Sequence, residues 1–135
     1  MKKLTIAEQE EYNKQMESRA LITSKASYIA NMLIAMANSS GKEDTDWLAQ
    51  RLLLYGVGIE QFNPGKFIFN GVNNIRENEV RVTYLIEEIL RQLYIGSDRY
   101  PGPVESLKKL GIRLIFGNEM AFFLNERCGG NARVK

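Results

Sequence analysis

The 135-residue chain has no histidine, one cysteine, one tryptophan and three prolines. Without histidine it lacks the usual general base near neutral pH and the commonest metal ligand. Cys128 alone can neither close an internal disulfide nor build a zinc site of several thiolates. Long hydrophobic runs are missing as well. Charged or amide residues interrupt the apolar stretches every few positions, so no membrane partner is expected. The opening MKKLTIAEQEEYNKQ carries only Leu4, Ile6 and Ala7 between its lysines and its acids, which is not the apolar core of a signal peptide. These absences point to a cytoplasmic protein.

What is present is the composition of a folded globule, 44% hydrophobic and 25% charged, far from the polar extreme at which chains stay disordered. A chain of this length makes one domain, residues 1–135, and buries about two-thirds of its unfolded surface without needing cross-links. The net charge of +2 is unevenly spread. Residues 99–135 hold Arg99, Lys108, Lys109, Arg113, Arg127, Arg133 and Lys135 against Glu105, Glu119 and Glu126. The C-terminal region is therefore the basic part of the molecule, and residues 129–135, opening on Gly129-Gly130, read as a flexible tail.

Thr5 and Glu8 form a capping box, so a helix should begin at Ile6. Tyr12, Met16 and Ala20 follow at four-residue spacing as a narrow apolar stripe. Beyond Leu21 the stripe widens through Ala26, Ile29, Ala30, Leu33, Ile34 and Ala37 until Asn38-Ser39-Ser40-Gly41 stops it. One rod over this stretch would be ~48 Å long, against roughly 36 Å for a compact globule of this size. Either the rod breaks near Thr23-Ser24, or residues 1–20 project as an arm that must find a partner.

Asp44 or Thr45 can cap a second helix through Trp47, Leu48, Arg51, Leu52 and Tyr55. Phe67-Ile68-Phe69, between Asn63-Pro64-Gly65 and Asn70-Gly71, reads as a strand that pairs with residues 57–62 as a hairpin. The clearest helix spans Ile75 to Ile95, with Val82, Leu85, Ile86, Ile89, Leu90 and Leu93 at helical spacing. A short helix follows Pro101-Gly102-Pro103, Ile112–Phe116 fits either a strand or a buried segment, and Asn118 should cap a last helix through Leu124. The expected fold is a mainly α, single compact domain of five or six helices with a small β-hairpin.

Motif matches fail when the chemistry is checked. Gly41-Lys42 lacks the rest of a phosphate-binding loop, because Met36 and Glu43 stand where a glycine and a hydroxyl are required. Glu43, Asp44 and Asp46 are no calcium loop, since Leu48 or Ala49 occupies the glycine position. Cys128 has no neighbouring base in sequence. No catalytic residue, cofactor or metal ligand is therefore expected. The chain reads as a binding protein and not an enzyme: an adaptor or inhibitor of another protein, self-associating as a homodimer or higher homo-oligomer through Tyr12, Met16 and Ala20. Short helical chains without motifs also suit accessory proteins of phages and mobile elements. Two alternatives stand beside this reading. A nucleic-acid-binding module would use Lys66 with the same-face pair Phe67 and Phe69, and the basic Arg99, Arg113 and Arg127. A binder of small anions such as nucleotides would use the helix starts at Pro103 and Asn118 with Arg99 and Arg113.

Overall fold

The first helix does not break. The computed structural model describes residues 3–38, 42–63, 75–97 and 99–133, and in it α1 runs continuously over Ile6–Asn38. Its 33 residues make a rod of about 50 Å. The expected cap is in place, with the Glu8 amide donating to Thr5 Oγ1 at 3.1 Å. Thr23, a proposed breakpoint, instead sends its hydroxyl outward to Glu87 Oε1 at 2.6 Å. A hydroxyl used in this way does not compete for the helix backbone, and the rod carries on.

Among the described residues six more elements and a final turn follow: α2 (Lys42–Leu54), β1 (Val57–Phe62), α3 (Ile75–Tyr94), α4 (Pro101–Lys109), β2 (Ile112–Phe116), α5 (Asn118–Phe122) and a π-helical turn (Phe123–Arg127). The fold is mainly helical with a small antiparallel sheet. Its two strands are β1 and β2, with Val57 opposite Phe116, Phe62 opposite Ile112 and a bulge between Ile59 and Gln61. The segment 67–69, expected to pair with β1, lies outside the described residues. Two helix starts differ in detail from expectation. Asp44 and Thr45 fall inside the first turn of α2, and Gly117 occupies the cap of α5, with no side-chain capping bond.

The core is built on α1 against α3. Ile22, Ala26, Ile29, Ala30, Leu33 and Met36 on α1 are buried together with Val82, Leu85, Ile86, Ile89, Leu90 and Leu93 on α3. Ala26 and Ala30 are completely buried at this seam, and their small side chains let the two axes approach. Removing a side chain such as Leu33 from this seam costs about 2–5 kcal/mol by precedent. The rim of the pair is polar: Glu87 accepts from both Thr23 and Arg91, each at 2.6 Å.

The C-terminal segment is tied to this pair. Asn131 N–H donates to the Tyr94 carbonyl at 2.7 Å, and Asn125 and Ala132 exchange two hydrogen bonds of 2.9 and 2.6 Å. Residues 129–132 of the expected tail are thus bonded to the end of α3 and to the π turn. Gly56 closes the other junction, from α2 into β1. Its φ of +79° belongs to the left-handed region, and a β-carbon there would lie 2.3 Å from the Met120 amide nitrogen.

Among the described helices, α1 is long and apolar enough by length and composition to cross a membrane, its most apolar 18 residues having a mean hydropathy of 1.3. One-third of that stretch is buried inside the structure, on the face that meets α3.

Gly56→Ala should lower the unfolding free energy by about 2–3 kcal/mol, because it adds left-handed strain to a backbone collision. Gly102→Ala is the control, since nothing lies within 4 Å of its added methyl and alanine gains about 0.5 kcal/mol over glycine in a helix. Urea titration of both variants checks the pair, and equal effects would contradict the Gly56 junction.

Candidate functional site

Residues 4–17 are exposed throughout. The core begins only at Ile22, so among the described residues the first three turns of α1 stand outside it. Their geometry is held locally, by Gln9 donating to Asn13 at 3.1 Å and by the Thr5 cap, and their base is pinned by Ser18 Oγ donating to the Cys128 carbonyl at 2.7 Å. Tyr12 is 51% and Met16 46% exposed. With Arg19 and Ile22 they form one wall of a groove of about 470 Å³, whose other wall is Arg91, Tyr94 and Ile95 at the end of α3. Met16 and Ala20 also border a shallow channel along the outward face of α1, where Thr23, Ser24, Ser27 and Asn31 are all small or polar. The three residues singled out for self-association therefore lie on uncovered surface.

The residues assigned to nucleic-acid or anion contact do not converge. Lys66, Phe67 and Phe69 lie outside the described residues. Arg113, on β2, is paired with Glu60 on β1 at 2.9 Å. Arg99 sits in the turn before α4, where Ser97 Oγ accepts from its amide at 3.2 Å. Arg127 lies at the end of the π turn. Three elements hold the three arginines, and the helix start at Pro101 has no side-chain cap.

Arg127 instead borders a cleft that sequence reading missed. The cleft, of about 690 Å³, lies where α1, α2 and the π turn meet, and its lining includes Lys25, Leu54, Tyr55, Phe122, Phe123 and Asn118. Lys25 Nζ sits 4.4 Å from the Tyr55 ring centre and 4.5 Å from that of Phe123, an ammonium held between two aromatic faces. Tyr28 meets Tyr55 edge to face at 5.2 Å and steadies that ring. One turn along α2, Arg51 lies over Trp47 at 4.9 Å. The π turn does the positioning on the other side: Leu124 and Cys128 face the core while Phe123 and Arg127 face the cleft. Inserted π turns of this kind recur at functional sites. The sequence did carry one signal for this cleft, a lysine inside the widening apolar stripe of α1. Nothing in the chain order connects it to Tyr55 or Phe123.

Among the described residues no three His, Cys, Asp or Glu side chains come close enough to hold a metal ion. No buried side-chain polar atom among them lacks a partner. Cys128 lies beneath the cleft, 3% exposed. Burial pushes its thiol above the ordinary value, and the charges of Lys25 and Arg127 oppose that rise.

No family model, no curated protein and no solved structure matches this chain.

Because the folded Cys128 holds its proton more tightly than the unfolded chain does, the stability it contributes is complete below the ordinary thiol pKa. That stability is lost as pH rises through the folded value. Iodoacetamide should alkylate the native protein slowly at mildly alkaline pH, with a rate-against-pH curve displaced upward from that of the urea-unfolded chain. Lys25→Met should displace it further. A native rate equal to the unfolded rate would contradict the burial of this thiol.

Proposed function

We propose that the protein is a non-catalytic binding protein that self-associates through the first turns of α1 and acts as a cytoplasmic adaptor or inhibitor of another macromolecule. The observation that carries the reading is the unbroken α1, which among the described residues leaves Tyr12 and Met16 about half-exposed on a rod. An apolar stripe held rigid in water gains by burial, and a second copy supplies the complementary face through a two-fold interface. The groove against Tyr94 and Ile95 gives that second helix a place to lie. The small outward residues Ala20, Ser24 and Ser27 allow close approach further along the rod. The buried, unpaired Cys128 is compatible with a reducing compartment.

Charge on the arm makes a specific demand. Over residues 1–20, Lys2, Lys3, Lys14 and Arg19 balance Glu8, Glu10, Glu11 and Glu17, so two arms brought together carry no net repulsion. The dimer should therefore respond only weakly to added salt.

Sedimentation velocity at tens of micromolar protein is the test, with dimer expected for the intact chain and monomer for a chain lacking residues 1–16. Met16→Glu should weaken the dimer by about 3 kcal/mol, roughly a hundredfold in Kd, by placing an unpaired charge in the seam. It should leave the unfolding midpoint of the monomer nearly unchanged, since Met16 lies outside the core. A monomeric intact chain, or a truncated chain that dimerises equally well, would refute self-association through the arm.

A further inference from the structure

The face of the molecule around the Lys25 cleft has the composition of a protein-docking site. Trp47, Arg51 and Leu54 recur on α2 at four- and three-residue spacing, which puts them on one side of that helix. Leu54 continues directly into the cleft beside Tyr55 and Phe122. Trp47 is 56%, Leu54 73% and Phe122 65% exposed. Aromatic residues and arginine are the residue types enriched at the centres of protein interfaces and among their energetic hot spots. Isolated exposed apolar side chains need no explanation, but a continuous run of this kind on a soluble domain marks an interaction surface.

The charges on this face identify the partner. Lys25, Arg51 and Arg127 make no salt bridge among the described residues, whose ion pairs are Arg91 with Glu87 and Arg113 with Glu60. The acid lining the cleft is Glu119. Lys25 and Arg127 face Glu119 in the cleft, and along α2 Arg51 shares the side of the helix with Asp44, so cations exceed carboxylates by one and a complementary surface is negative.

The way the cations are held decides between an acidic protein and a nucleic acid. Single-stranded nucleic acids bind through bases stacked on free aromatic faces. Here Lys25 already covers a face of Tyr55 and of Phe123, and Arg51 covers a face of Trp47. Stacking a base on those covered faces would first require moving the cations off the rings. A carboxylate needs no such movement, because it pairs with the cation where it stands while an apolar side chain enters between Leu54 and Phe122.

We infer that the surface formed by Trp47, Arg51, Leu54, Lys25, Phe122 and Arg127 binds an acidic segment of another protein, with carboxylates flanking one apolar anchor. It is separate from the Tyr12 and Met16 seam and does not depend on dimerisation.

Trp47 is the single tryptophan of the chain and reports from within the face itself. The full-length protein is titrated with the blocked peptide DELFED, and with KKLFKK as the charge-reversed control, while tryptophan emission is followed. A saturable change is expected with DELFED and none with KKLFKK, and affinity for DELFED should fall about fivefold or more between low and high salt. Arg51→Glu combined with Arg127→Glu, both exposed positions, should weaken binding at least about tenfold. Lys25→Met, which keeps the apolar stem between the rings, should weaken it less but measurably. Met16→Glu should bind DELFED as tightly as the parent, so a failed dimer and a failed docking face give different results. Equal responses to the two peptides, unchanged affinity in the charge-reversed protein, or loss of binding in Met16→Glu would each overturn the inference. So would tighter binding of oligo-dT than of DELFED.

Discussion

Everything in this molecule hangs on the packing of α1 against α3. The two longest helices share one seam, from Ile22 to Met36 on one side and Val82 to Leu93 on the other. The fully buried Ala26 and Ala30 bring the axes together. Burial of apolar area is the dominant favourable term in folding, and here most of it is concentrated between two rods. Of the remaining elements, α2 packs on α1, α4 and the π turn pack on α3, and the sheet packs against α2 and α4.

A rod longer than the core it packs on has to do something with its excess length. The inner face of α1 is buried as far as Ile22, and nearer the N-terminus its described contacts thin to the Ser18 bond with the Cys128 carbonyl and the groove beside Tyr94 and Ile95. The same rod carries Lys25 toward the π turn and Thr23 toward Glu87. One helix therefore contributes to the core, to the exposed arm and to the cationic cleft, and its rigidity sets the distances among all three. A break at Thr23 would have folded the arm back and uncoupled them.

The arm and the cleft differ in charge. The arm balances its cations and carboxylates over residues 1–20 and carries a thin apolar stripe, whereas the cleft is cationic and aromatic. Lys25 and Arg51 are each held by a ring, and neither makes a salt bridge among the described residues, which leaves their charge available at little rotamer freedom. The polar pairs that the molecule does close, Glu87 with Arg91 and Glu60 with Arg113, lie away from that face.

Helical periodicity alone was enough to locate α1, α3, the Thr5 cap and the central position of α3, because those features depend on residues within a turn of one another. The exposure of Tyr12 and Met16 was also legible, since a two-residue-wide stripe flanked by charge cannot be a core face. Tertiary structure decided what depends on residues far apart in the chain. Thr23 stays helical because Glu87, 64 residues later, takes its hydroxyl. Val57–Phe62 becomes a strand in the sheet because Ile112–Phe116 lies alongside it. Ala26 and Ala30 are spent inside the molecule because α3 arrives at their face. The cleft is the clearest case: Lys25, Tyr55 and Phe123 come from three elements, and a cation–ring contact of about 4.5 Å has no signature in any local pattern. Local sequence specifies local geometry, and a site assembled from distant segments exists only once the core has brought them together.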